Sequence, residues 1–208
     1  MKTFHVQEIL TFLQAVDRHL ATLTEVRIIG GAAAALGFGA QQGTMDIDHR
    51  GVSSPGIDST TASTEFARAC AHARAETRLD IPVNHVGVHE APWASESRYQ
   101  PASLAGVTKL KVLIPEKHDW ALMKISRLDQ KDIDHIKEAT ARVGFDRELF
   151  LRRFVTEMSH VEPRKPLIQR FVAMMEELYG ESESDRMKAA VDDIWSGRRE
   201  CPWPIPPA

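Results

Sequence analysis

Residues 28–50 read IIGGAAAALGFGAQQGTMDIDHR. An apolar run ending in Ile28 and Ile29 meets a glycine pair, Gly30 and Gly31, and an alanine-rich, helix-forming stretch follows. A second short run then carries two carboxylates one residue apart, Asp46 and Asp48. Side chains two apart on a strand point to the same face. Asp46 and Asp48 therefore form a candidate site for a hard divalent cation, Mg2+ or Mn2+, which takes oxygen ligands and keeps positions for water and substrate phosphates. The glycines suit a turn where backbone approaches a phosphate closely, and the helix after them offers free N–H groups and a positive dipole end. A phosphate cradle and a metal site are expected to face each other.

Outward from this stretch, Phe4 to Leu23 places apolar residues at helical spacing and predicts an amphipathic helix. Strand Val26–Ile29, helix Gly31–Phe38 and strand Met45–Arg50 come next. Thr61 to Leu79 reads as a helix with Ser63 or Thr64 at its N-cap. Val83–Val88 and Leu110–Ile114 read as strands, and Leu104–Val107 as an additional one. Beyond Pro115 the pattern predicts helices only, over Glu116–Leu128, Gln130–Val143, Arg147–Val161, Pro166–Tyr179 and Glu183–Trp195. The expected class is α+β. A small mixed sheet with helices occupies residues 1–114, a helical region 115–200, and a proline-rich tail 201–208, whose four prolines exclude regular helix.

The ordered set of strand, glycine turn, helix and acidic strand resembles the nucleotidyltransferase superfamily, and most closely its AbiEii-like branch, which includes bacterial abortive-infection toxins. That branch reads Gly-Gly-x-Ala at the turn and Arg-x-Thr-x-Asp-Ile-Asp at the strand, against Gly30-Gly31-Ala32-Ala33 and Gln42-Gly43-Thr44-Met45-Asp46-Ile47-Asp48 here. Gln42 stands where the family has arginine. A second segment, LIPEKHDWALMKISRLDQKDIDHIKEA over residues 113–139, resembles the family's proline-led helix carrying Met-Lys and the Lys-Asp pair opening the next helix. These positions are Met123-Lys124 and Lys131-Asp132. The resemblance implies an Mg2+- or Mn2+-dependent enzyme that moves a nucleoside monophosphate from an NTP to a hydroxyl acceptor. Asp46 and Asp48 would be the metal ligands, Gly30, Gly31, Thr44 and Lys124 the nucleotide contacts, and Lys124 and Asp132 would complete the catalytic set. It further implies a cleft between sheet and helical parts, an RNA acceptor and a toxin role with an antitoxin protein as partner. The alternative is a non-catalytic member that binds a nucleotide or a partner.

Active polymerase-like relatives carry a third carboxylate on a later strand. Val83–Val88 offers Asn84, which can orient a group but not accept a proton, and His85, which can act as a base; Asp80 precedes the strand and Glu90 follows it. His85 and His89 alternate along it and read as structural or exposed. Trp93, Trp120 and Trp195 read as core or interface anchors.

Composition narrows the field. With 26 basic and 29 acidic residues the chain carries a net charge of -3, which gives no global case for a nucleic-acid surface. The basic runs at 142–153 and 164–170 alternate with acids and read as solvated helix faces. Two isolated cysteines, Cys70 and Cys201, exclude a disulfide framework or a cysteine zinc site. No apolar run is long enough for a membrane span and no secretory leader is visible, so a cytoplasmic protein is expected.

Overall fold

The computed structural model describes residues 2–87 and 90–204 and resolves into two compact units, 1–87 with 99–115 and 88–98 with 116–208. The fold is α+β. In the first unit the elements run α1 (Val6–His19), β1 (Thr24–Ile29), α2 (Gly30–Gly37), β2 (Ile47–Ser53), α3 (Ser59–Thr77), β3 (Val83–His85), β4 (Gln100–Pro101) and β5 (Leu110–Ile114). The mixed sheet is ordered β3-β2-β1-β5-β4. β1 pairs antiparallel with β2 and parallel with β5, and β3 lies parallel to β2.

Helix α1 buries Ile9, Phe12, Leu13 and Val16 at its helical spacing and packs chiefly against α3, which contributes Phe66, Ala69 and Ala73. Each large apolar side chain taken from water is worth roughly 1.5–3 kcal/mol. Ala32 to Ala35 are all buried, and their small side chains let α2 lie close to β1 and β2. Asp17, buried near the end of α1, accepts the backbone N–H groups of Thr108, Lys109 and Leu110 at 2.9, 2.6 and 2.7 Å. Burial alone would raise its carboxyl pKa, but those three donors outweigh it and hold the group below its ordinary value.

That clamp explains one departure from expectation. Residues 104–107 form no strand: Ala105 gives its carbonyl to Gln14, Gly106 takes a φ of +74° and Asp17 takes the next N–H groups. The sheet edge is formed instead by Gln100 and Pro101 against Ile114 and Leu113. The α3 cap also moves. Asp58 accepts from Thr60 N and Thr61 N, both at 3.0 Å, so the helix opens at Ser59, and Ser63 and Thr64 lie inside it. β3 is shorter than the expected run and spans Val83–His85; Val88 and His89 lie outside the described residues, as do 205–208 of the tail.

The second unit contains a 3-10 turn (Ser95–Arg98) and helices α4 (Lys117–Lys124), α5 (Gln130–Val143), α6 (Arg147–Glu157), α7 (Arg164–Tyr179) and α8 (Glu181–Trp195). Glu116, Asp129 and Asp146 cap α4, α5 and α6. Trp120, Phe150, Phe154, Phe171, Met174 and Met187 fill its core, with Phe154 stacked on Phe171 at 3.9 Å and on Trp195 at 5.2 Å. Trp93, by contrast, is 38% exposed. Among the described residues no helix is long and apolar enough to cross a membrane.

Candidate functional site

The strand–glycine turn–helix–acidic strand series closes on itself in the first unit. Ile29, the last residue of β1, pairs with Asp48 of β2, so the glycine turn emerges beside the second carboxylate. Gly30 adopts a φ of +67°, and a Cβ built there would lie 3.4 Å from Asp48 Oδ2. Glycine is the residue that enters this left-handed conformation without steric cost and keeps the approach open. Ile29 stands at the N-cap of α2 with no polar side chain to offer the first turn. Gly30 and Gly31 are both half-buried at this end of the helix.

Asp46 lies just ahead of β2, in a loop held from two sides. Thr44 exchanges backbone hydrogen bonds with Phe4 at 2.7 and 2.9 Å, and its hydroxyl donates to the Asp46 carbonyl at 3.1 Å. Gly43 leaves no room for a side chain, since a Cβ there would fall 2.9 Å from the Phe4 carbonyl oxygen. Thr44 is thereby placed as a buried brace of the acidic loop.

The two carboxylates converge on one neutral group. β3 runs beside β2 with Asn84 opposite Asp48, and the Asn84 amide nitrogen donates to Asp46 Oδ2 and to Asp48 Oδ1, each at 3.2 Å. Asn84 occupies the place where the sequence reading looks for a third acid. His85 faces the other way, opposite His49, with its Nε2 3.1 Å from the Arg50 carbonyl. The Asp80 side chain is fully exposed and 3.9 Å from Arg74. Among the described residues no cluster of three or more His, Cys, Asp or Glu side chains forms a metal site. The pair nevertheless suits a hard cation: two carboxylates share one face, and an amide can rotate to present its carbonyl oxygen.

Lys124 and Asp132 come together in the second unit. Lys124 Nζ donates to Asp132 Oδ1 at 2.6 Å and lies 5.3 Å from the Trp120 ring centroid, while Arg127 donates to both Asp132 oxygens at 3.1 Å. Burial pushes the Asp132 carboxyl up, but hydrogen bonds from Arg127 and the charge of Lys124 outweigh it and keep the carboxyl below its ordinary value. A phosphate reaching Lys124 has to compete with this carboxylate.

The second unit also holds an ion network that no local sequence signal marks. Arg98 donates to Asp119 at 2.6 and 2.8 Å and to Glu157 at 3.1 and 2.5 Å. Arg153 donates to Asp119 at 2.9 Å and closely to Glu116. His118 accepts the Asp146 N–H through Nε2, which places its own proton on Nδ1, donated to Glu116 at 2.8 Å. Asp119 is wholly buried; that burial raises its pKa despite both arginines. Glu116 resists the same effect and is held down to about 2 by His118 and Arg153.

A turn that delivers a helix N-terminus beside paired acids, one on the neighbouring strand and one in the loop leading into it, is consistent with a nucleotidyltransferase-like fold. A model of the family described as nucleotidyltransferase of unknown function (DUF6036) matches residues 5–179, and the chain belongs to that family. No curated protein and no solved structure matches the chain.

Proposed function

We propose that the protein is a Mg2+- or Mn2+-dependent nucleotidyltransferase that moves a nucleoside monophosphate from an NTP to a hydroxyl acceptor. The observation that carries this reading is the convergence of Asp46 and Asp48 on one point at the mouth of the Gly30 turn. Asp46 and Asp48 would hold the cation, which when bound neutralises triphosphate charge. Asn84, whose amide nitrogen now donates to both acids, would turn its carbonyl oxygen toward them to help hold the cation. Gly30, Gly31 and the first turn of α2 receive phosphate oxygens on backbone N–H groups. The acceptor oxygen bonds to the α-phosphorus, the bond to pyrophosphate breaks, pyrophosphate leaves with the electron pair, and the hydroxyl proton passes to solvent.

With an amide where a third carboxylate would stand, none of the described side chains of the first unit beside the pair is placed to take that proton. General-base assistance contributes about 100-fold to 10,000-fold, so the expected turnover is slow. RNA as the acceptor and a toxin role opposed by an antitoxin rest on the AbiEii-like motifs alone. The same amide favours a second reading, a member that binds NTP without transferring it.

Thermal unfolding with and without Mn2+ and each NTP tests binding: the wild type should gain stability, as a ligand selective for the native state requires, and the Asp46→Asn, Asp48→Asn double variant should not. An unchanged shift in the double variant refutes the metal assignment. Incubation with labelled NTPs and total RNA then separates transfer from binding alone.

A further inference from the structure

The two faces of the β2–β3 ladder differ in chemistry. Asp48 and Asn84 share one; His49 and His85, next in register, share the other, with ring centroids 5.4 Å apart. That second face and helix α3 enclose a cavity of about 450 Å3. This lies in the range of small-molecule sites.

Its polar lining is rich in donors. Arg74 gives Nε to the Ile81 carbonyl at 3.0 Å and has the solvent-exposed Asp80 carboxylate 3.9 Å from that same nitrogen, while its terminal amino groups make no hydrogen bond among the described residues. Ser63 brings a hydroxyl to the same space from an exposed position on α3. His49 is 7% exposed, and its Nδ1 is buried without a hydrogen-bond partner. No carboxylate lines the space. The remaining wall is apolar: Phe66, Ala67, Val83 and Cys70, whose thiol burial pushes up to about 12, so that it stays protonated and behaves as a small apolar group.

We propose that this cavity binds a small carboxylic acid, its carboxylate on the Arg74 guanidinium and Ser63 hydroxyl and its apolar body, about the size of a phenyl ring, along Phe66 and Val83. A single guanidinium, with the Asp80 carboxylate 3.9 Å from its Nε, matches a monoanion rather than a dianion, and the apolar wall disfavours a bare phosphate. The site stands on the opposite face of β2 from Asp48 and does not rest on the nucleotidyl-transfer reading.

Calorimetric titration of the full chain with sodium benzoate, and separately with inorganic phosphate at equal ionic strength, tests it. Benzoate should bind once, with a Kd on the order of 1 mM, and phosphate should not compete. Arg74→Gln should weaken benzoate about tenfold or more through loss of a charge-assisted contact. Ala67→Met, at an exposed helix position that tolerates the change, should fill the space and abolish binding. The Asp46→Asn, Asp48→Asn variant should bind benzoate normally. Absence of saturable binding, equal affinity in the Arg74 and Ala67 variants, or phosphate binding as tight as benzoate overturns the proposal.

Discussion

The two units treat clustered acids in opposite ways. In the helical unit Asp119, Glu157 and Glu116 are bridged by the guanidinium groups of Arg98 and Arg153, so charge meets charge. In the sheet unit Asp46 and Asp48 are bridged by the amide of Asn84, which supplies a dipole and no charge. The first arrangement is suited to permanence, because burying a carboxylate demands a matched partner. On the proposed reading the second pair is the one that would take a cation. On that reading the difference separates acids that hold the fold from acids that would do chemistry.

The largest expected effect comes from breaking the charged bridge. Arg98→Met removes the four hydrogen bonds to Asp119 and Glu157 and leaves their charge buried. It should cost about 3–5 kcal/mol in denaturant unfolding, whereas Asp48→Asn should change stability by less than about 1 kcal/mol. A comparable loss from both would erase the contrast between the units.

Acid sharpens it next. Glu116 has its pKa lowered from 4.5 to about 2, so its contribution is fully present above pH 4.5 and is lost as pH falls through about 2. That shift corresponds to about 3 kcal/mol at most, and Asp119, raised by burial, offsets part of it. Glu116→Gln should flatten the fall in Tm between pH 4.5 and 2; an unaltered acid limb would assign that loss to other groups.

Smaller effects probe the amide. Gly30→Ala forces a side chain into a left-handed conformation at φ +67°, 3.4 Å from Asp48 Oδ2; about 1–2 kcal/mol of destabilisation is expected, read as a drop in Tm. Asn84→Asp replaces two hydrogen bonds by like charge. It should cost about 1 kcal/mol without metal, recover that loss in Mn2+, and raise any transfer rate. A variant that neither gains metal affinity nor responds to Mn2+ would show that the third position lies elsewhere.

The legibility of these features followed their locality. The glycine turn and Asp46/Asp48 lie within a single stretch whose strand and helix periods are plain, and β1, α2 and β2 formed there. Asn84 was placed on the right strand by β pattern, but its bridging role depends on the parallel register of β3 with β2, which no local pattern encodes. Arg98, Asp119, Arg153 and Glu157 are scattered through the sequence, and each alone reads as an ordinary solvated charge. The strand expected at 104–107 failed for the same reason: Asp17 and Gln14, some 90 residues earlier, claim the backbone groups that a strand would use. The cap of α3 was misjudged locally, since Asp58 satisfies two N–H groups where Ser63 or Thr64 would each have satisfied fewer.

β3 stands at the end of the sheet order and has only three residues, held to β2 by its own ladder and by the flanking Ile47 N–H to Pro82 and Val86 N–H to His49 bonds. A segment this short opens at far lower free energy than the whole domain. Asn84 therefore spends part of its time away from the acids, and amide exchange at residues 84–86 should be faster than at Ile28 of β1. On the proposed reading, a cation at the acidic pair would wait for, or itself impose, the closing of that strand, and the order of those two events would set how fast the site assembles.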